Sequence, residues 1–405
     1  MGPGLSIPNA IRNPLIPRLW TPPAAPGKFT AMAPNRENLQ LLSRLTPLAE
    51  VLGLIDAEVA PVTPRPLDLA AAAGRTLAAD AVAPARPPAA TALADGWALA
   101  ADLTLGAGGY APALLPRAPT RVEAGQVMPP DTDSIAPFDA VKNGAAGAEA
   151  LVALAPGEGV LAAGGDCDPG VPLQRAGARL RKTDLAAFAA AGLARVTVRE
   201  PKLRILPLRG SVIVTAAARL IAYDAERRGG AVRLDESGRL DVALGADTAD
   251  AIIAIGGTGA GRNDTSVRLL AREGRLAVHG LALAPGETAA LGFAGTRPVL
   301  LLPGRLDAAL AVWLVVGRHL LTALAATKRK DNDPGKTLTL ARKVASSVGL
   351  AELVPVRRNA DGEVEPLATR YLPLSALTRS DGWILVPAES EGHAAGAQVQ
   401  VRPWP

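Results

Sequence analysis

Between residues 202 and 326, short apolar runs alternate with longer stretches in which apolar positions recur every three or four residues. Residues 203–206, 231–234, 251–255 and 299–302 read as strands, the first apolar and the third buried, and 276–283 extends again. Residues 212–228, closed by Gly229, together with 264–273 and 307–326 read as helices. Strand and helix in alternation predict an α/β domain with a mostly parallel sheet covered on both faces, whose ligands bind beyond the carboxyl ends of the strands. Upstream, Thr46 reads as the cap of a helix with Pro47 at its first position and an apolar stripe of Leu48, Val51, Leu52 and Ile55. Residues 84–156 are short apolar runs broken by Pro and Gly, the texture of a β-rich module. Residues 180–198 read as a helix, capped by Thr183 or Asp184 with Leu185, Phe188 and Ala189 inward, then a strand. Short strands at 353–356, 383–386 and 399–401 predict a small C-terminal β domain.

These patterns divide the chain into a proline-rich disordered extension (1–43), a linking domain (44–88 with 157–200), an inserted β-rich module (89–156), the α/β domain (201–327), a basic linker (328–343) and a C-terminal β domain (344–405). No continuous apolar segment follows the basic residues of the extension, so an over-long start ahead of Met32 is a better reading of it than a targeting peptide.

With 405 residues, 49% of them hydrophobic and 20% charged, wholesale disorder is excluded. The most apolar run, 306–324, carries Asp307, Arg318 and His319, which favours a buried helix over a membrane span. A single cysteine, Cys167, rules out an internal disulfide framework, and His279, His319 and His393 have no metal-ligand spacing. Ser211 follows Gly210 without a nucleophile-elbow pattern. The net charge of +5 is concentrated, with +3 in residues 1–40 and +4 in 328–343, leaving −2 for the body. Aromatic residues are only 3% of the chain, so the basic stretches read as solvated tail and linker, and no nucleic-acid partner is expected. Eight of the 43 basic residues are lysine, and none lies between Lys202 and Lys328.

The most pointed chemistry is the run Gly256, Gly257, Thr258, Gly259, Ala260, Gly261, Arg262, Asn263, Asp264 between a strand and a helix. Glycines let backbone N–H groups approach an anion, and a helix N-terminus adds a favourable dipole, so a phosphate-bearing ligand fits; a tight turn alone also calls for glycine. The dinucleotide fingerprint is absent, because Arg262 stands where its third glycine belongs, and the P-loop lysine is missing. Asp264 suits Mg²⁺ beside a phosphate or a helix cap. A second turn, Leu302, Pro303, Gly304, Arg305, should open on the same sheet edge.

The order of these segments, over roughly residues 46–401, resembles the molybdopterin molybdenumtransferase family, which includes the C-terminal domain of gephyrin. Asp95-Gly96-Trp97-Ala98 is similar to that family's D-G-Y-A, and Val127-Met128 with Asp139-Ala140-Val141 to I-M-T-G-A and A-D-A-V. Gly164-Gly165-Asp166 stands where G-E-D is expected; residues 250–264 resemble the strand and G-G-V-S-V-G-x-x-D loop. Pro285-Gly286 resembles K-P-G-K-P, Leu302-Pro303-Gly304 resembles L-P-G-N-P, and residues 380–383 and 396–399 resemble A-D-G and A-G-E-x-V. The resemblance implies a cytoplasmic, elongated, dimeric enzyme that inserts molybdate into adenylylated molybdopterin with Mg²⁺ and releases AMP. It also implies contacts with a molybdoenzyme or a molybdopterin adenylyltransferase. Carried over residue by residue, it places Asp95, Asp139 and Asp166 in catalysis and Asp264 on the metal. Gly256, Gly257, Thr258, Gly259, Gly261, Arg262, Pro303, Gly304 and Arg305 would bind the small-molecule substrate.

The chain departs from the pattern at its cations. The lysine positions hold Gly280, Ala284 and Glu287, while Pro129, Gly165, Gly259 and Arg305-Leu306 replace Thr, Glu, Ser and Asn-Pro. Arg262 and Arg305 are the residues placed to restore positive charge, although arginine's planar fork differs from lysine's point charge. A second reading is therefore a paralogue that binds molybdopterin or the finished cofactor without turnover, and a third a scaffold using only its surfaces.

Overall fold

The computed structural model describes residues 40–208, 210–246, 248–328 and 335–405. The centre of the molecule is a six-stranded sheet. Its elements run β1 (Lys202–Pro207), α1 (Val212–Arg227), β2 (Ala231–Leu234), α2 (Leu240–Gly245), β3 (Ala251–Ile255), α3 (Ser266–Glu273), β4 (Arg275–His279), β5 (Ala290–Ala294), β6 (Arg297–Leu302) and α4 (Leu306–Ala325). The spatial order is β2-β1-β3-β6-β5-β4, with β2, β1, β3 and β6 parallel and β5 antiparallel to both neighbours. The α/β class and the mostly parallel sheet are as expected.

Strand pleating divides the core in two. On one face Ile253, Ile255, Leu300 and Leu302 pack with α1, α4 and the helix Leu48–Glu58; on the other Ile252, Ala254, Val299 and Leu301 pack with α2 and α3. Burial on both faces explains why these strands read as continuous apolar runs instead of alternating ones. α4 is the one helix among the described residues long and apolar enough to cross a membrane, and 78% of its most apolar window is buried in the protein.

Two charged and aromatic side chains of α4 pin it to α1. Asp224, 3% exposed, accepts hydrogen bonds from Trp313 Nε1 (2.7 Å) and from Arg318 Nε and Nη2 (both 2.8 Å), with Arg228 Nε at 3.2 Å. α4 contains a π-helical turn, Trp313–Gly317, and the Trp313 ring lies against Gly317, where a Cβ would come within 2.2 Å of it. Only glycine allows that approach.

Around this domain, strands Arg65–Asp68, Thr76–Leu77 and Arg195–Arg199 form the sheet of the linking domain over Leu77, Leu180, Phe188 and Val198. The module hangs from it by the paired segments Thr91–Ala92 and Val160–Leu161, and has two small antiparallel sheets with cores of their own. In the C-terminal domain, Ala351–Arg358 is central, pairing with Gly382–Val386, Val364–Pro366 and, in parallel, Leu283–Ala284 of the α/β domain.

Several expectations need correction. Residues 1–39 of the extension lie outside the described residues, but Gln40 is 6% exposed and packed on the α/β domain. Pro47, not Thr46, occupies the cap of Leu48–Glu58, and Thr46 instead bridges to Leu281. The helix expected from residue 180 is Lys182–Ala190. Asp184 sits in its first turn and accepts from Arg181 N at 2.7 Å, and Ala189 faces solvent. Part of the basic linker, Lys336–Thr339, is a strand paired with Gln398–Val401. β5 and α2 were unanticipated; β5, Ala-Leu-Gly-Phe-Ala, has no β-branched residue to mark it.

Burial pushes the Asp224 carboxyl up, but the hydrogen bonds of Arg318 and Trp313 and the charges of Arg318 and Arg228 outweigh it and hold its pKa below the ordinary 3.8. Its contribution to stability is therefore complete above about pH 4 and is lost as pH falls through that depressed value. Asp224→Asn should cost about 3–5 kcal/mol at neutral pH, because it strands buried arginine charge. The variant should also show a shallower loss of denaturant midpoint than the parent below pH 4; parallel acid profiles would refute this assignment.

Candidate functional site

Three loops meet at the carboxyl ends of β3 and β6. The first, 256–264, leaves β3 through Gly256 and Gly257, whose φ of +104° and +71° side chains rarely adopt. Gly256 N donates to Leu302 O at 2.8 Å, tying this loop to the end of β6. The third loop, 303–305, lies beside the first, where a Cβ on Gly304 would make an ordinary van der Waals contact with Gly256 Cα at 3.5 Å. The second, following the cis Ala284–Pro285 bond, joins the first through Thr258 Oγ1 and Thr288 Oγ1, 3.0 Å apart. Thr258 is 1% exposed, so its hydroxyl is a buried fastener between loops.

The glycine loop is held by its carbonyls. Gly257 O accepts from Ser266 Oγ (2.7 Å) at the start of α3, and Gly257 O and Gly259 O accept from Gln40 Nε2 at 3.0 and 2.8 Å. The amide N–H groups of Thr258, Gly259 and Ala260 meet no acceptor among the described residues. Successive backbone N–H groups beside a helix N-terminus are a feature that anion-binding concavities share.

Asp264 is half-buried and folds back into the loop, accepting from Gly261 N at 3.1 Å; a Cβ on Gly259 would lie 2.7 Å from its Oδ2. Among the described residues no cluster of three or more His, Cys, Asp or Glu could enclose a metal. The donor set therefore suits Mg²⁺ only as an ion shared with substrate phosphates and water, which is how this cation is commonly held.

The arginines take different positions. Arg262 is exposed and forms no ion pair among the described residues. Arg305 forms a bidentate pair with buried Asp307 (Nε–Oδ1 3.1 Å, Nη2–Oδ2 2.5 Å), which raises its pKa, and lies 4.7 Å from the Tyr371 ring centroid. Asp307 Oδ2 also accepts from Leu372 N (3.1 Å), so Arg305 and its carboxylate fasten the third loop to the C-terminal domain.

The remaining carboxylates stand apart from these loops. Asp95, Asp139 and Asp166 are all exposed, and Asp95 Oδ1 accepts from Ala124 N at 2.8 Å within the module. No hydrogen bond, ion pair or shared core joins them to the glycine loop among the described residues. Sequence reading missed Gln40, Ser266, Thr288, Asp307 and Tyr371. Gln40 reaches a partner 217 residues away and carries no local signal, whereas Asp307 could have been suspected from its place two residues after Arg305.

Comparison with known proteins adds the following. The family model for the N-terminal region of MoeA (domains I and II) matches residues 46–192. A model described as "probable molybdopterin binding domain" matches 215–323, and the MoeA C-terminal region (domain IV) matches 337–404. The chain is 27% identical over 319 residues to molybdopterin molybdenumtransferase 1 of Mycobacterium tuberculosis, covering 71% of this chain and 74% of that protein. It is 33% identical over 154 residues to a Methanocaldococcus jannaschii protein named for molybdopterin biosynthesis; that match spans 38% of this chain and about a third of the relative, 36%. The crystal structure of a Pyrococcus horikoshii MoeA protein has the same fold, with a TM-score of 0.72 at 22% identity over 89% of this chain and 100% of that one.

If Thr258 and Thr288 share one hydrogen bond, Thr258→Val should destabilise the protein by about 1–3 kcal/mol, and Thr258→Val with Thr288→Val by no more than the single change. Chemical denaturation of the set decides it, and additive losses would rule the fastener out.

Proposed function

The chain belongs to the MoeA family and so to molybdenum cofactor biosynthesis, and from that premise we propose that it transfers molybdenum from molybdate to adenylylated molybdopterin, releasing AMP. The observation that carries the reading is the row of amides at Thr258, Gly259 and Ala260 that meet no acceptor among the described residues, set at the sheet edge between a buried strand and α3. Backbone donors fixed before the substrate arrives stabilise phosphoryl charge without reorganising, and they do so in a chain that has lost the lysines. Asp264 would hold Mg²⁺, which when bound offsets charge on the phosphates. The fastened loops hold the substrate in one orientation, and burial behind Thr258 limits water at the loop floor.

Asp95, Asp139 and Asp166 make no hydrogen bond or ion pair with this loop among the described residues, so we assign them to the facing site of a second copy, as a symmetric dimer permits. In that arrangement each site combines the glycine loop of one subunit with module carboxylates of its partner.

One observation favours a carrier that binds without turnover: the charge of Arg305 is already matched by Asp307, leaving exposed Arg262 as the only one of the two proposed replacement cations not committed to a carboxylate. The two readings part on one assay. With purified protein, Mg²⁺ and adenylylated molybdopterin, the enzyme should release AMP only when molybdate is added, and a carrier should bind molybdopterin and release none. In the enzyme, Asp264→Asn should raise the Mg²⁺ concentration needed for half-maximal rate by about 10- to 100-fold. Coexpressing an Asp95→Asn, Asp139→Asn chain with an Asp264→Asn chain should restore about a quarter of parental activity, since half the dimers are mixed and each mixed dimer has one intact site. No recovery in demonstrably mixed dimers would place the carboxylates elsewhere.

A further inference from the structure

We infer that Gln40 determines specificity at this site: its side-chain oxygen is the acceptor that reads the amino-bearing edge of a pterin, while the amides of the glycine loop take the phosphate. This rests on the proposed reading of the site as one for molybdopterin.

Gln40 is 6% exposed, and its Nε2 donates to Gly257 O and Gly259 O. Two carbonyl partners identify that end of the amide as nitrogen and use both of its hydrogens. The other end, Oε1, is buried and meets no hydrogen-bond partner among the described residues. Because the amide is planar and its nitrogen is fixed, the oxygen stays beside the same loop. A buried acceptor left without a donor is costly, and in native proteins such a group nearly always has a donor from protein, ordered water or a ligand.

The side chain cannot easily swing away, because the segment that carries it is laced to the domain. Thr46 N donates to Gly280 O and Ala282 N to Thr46 O, both at 2.8 Å, and a Cβ on Gly280 would come within 2.4 Å of Arg44 O and 3.0 Å of Leu42. Gly280 is also one of the positions where the resemblance expects lysine, so the segment runs where a long cation would otherwise project.

The chemistry of the missing partner follows from the sign of the group. Phosphate and molybdate oxygens are acceptors and would be repelled by Oε1, whereas an N–H is attracted. The loop therefore offers donors at Thr258, Gly259 and Ala260 and an acceptor at Gln40, which suits a ligand with an anion at one end and an amino-substituted ring at the other. A pterin has such an edge, an exocyclic amine beside a ring N–H, and guanine shares it; hypoxanthine differs from guanine by that amine alone.

The test uses the full chain with inorganic pyrophosphate, GMP, IMP and AMP in titration calorimetry. The parent should bind pyrophosphate and prefer GMP to IMP by about 10-fold, the worth of one good buried hydrogen bond. Gln40→Leu removes donor and acceptor. Gln40→Lys keeps a donor for the two carbonyls, removes the acceptor and adds a positive charge that should strengthen pyrophosphate binding. Both should lose the GMP preference while still binding pyrophosphate, with melting curves showing that each remains folded; if the leucine variant unfolds, the lysine variant and the parental preference still decide. Equal binding of GMP and IMP by a parent that binds pyrophosphate, tighter binding of AMP than GMP, or a preference that survives substitution would each overturn the role of Gln40 and leave the phosphate site standing. A parent that binds neither pyrophosphate nor GMP would overturn the site itself and Gln40 with it.

Discussion

A single buried carboxylate sets the geometry on which the candidate site depends. Asp224 draws Trp313 and Arg318 of α4 against α1, and both helices begin at the sheet edge where the loops gather. A charge so buried is tolerable only if its lone pairs are filled, and here two side chains of the neighbouring helix fill them. The same constraint reaches into the backbone. Trp313 can turn toward Asp224 because Gly317 leaves room for its ring, and the π-helical turn spans these two residues. With the last turn of α1 joined to the middle of α4 in this way, Ser211 and Arg305 at their starts are held in a fixed relation across the sheet edge.

The site built on that frame relies on backbone more than on side chains. In the proposed reading the anion is held by amide groups that need no cation nearby, which fits a lysine-free segment. The guanidinium of Arg305 joins the third loop with the C-terminal domain through Asp307 and Tyr371. Positive charge at a given position in a motif is thus no guide to whether that charge faces the ligand.

What could be read in the sequence follows from how local each signal is. β3 and β6, and β1 after its first residue, are buried on both faces, β2 is a half-buried edge strand, and the limits of all four are legible to within a residue or two. β5 escaped because its small residues carry little strand preference and its burial is supplied wholly by neighbours. α3 starts at Ser266 instead of Asp264 because the Asp264 carboxylate is engaged with the glycine loop and leaves the helix start to the next turn. The glycine loop and the turn after β6 were visible as motifs. The fastening of one to the other, by Gly256 N to Leu302 O and by Thr258 to Thr288, depends on which strands become neighbours, and Gln40 depends on where a distant segment is laid down. Contacts of that range are properties of topology, and periodicity does not encode them.

The paired segments Thr91–Ala92 and Val160–Leu161 have a bearing on ancestry. The chain enters and leaves the module side by side, and the module encloses its own small cores, so the linking domain is connected to it through one narrow stalk. A segment with neighbouring ends and a self-contained interior can be lengthened, exchanged or deleted without rethreading the rest of the fold. The module is in that sense a cassette, and descendants of this chain can remodel one side of the molecule while the sheet edge keeps its geometry.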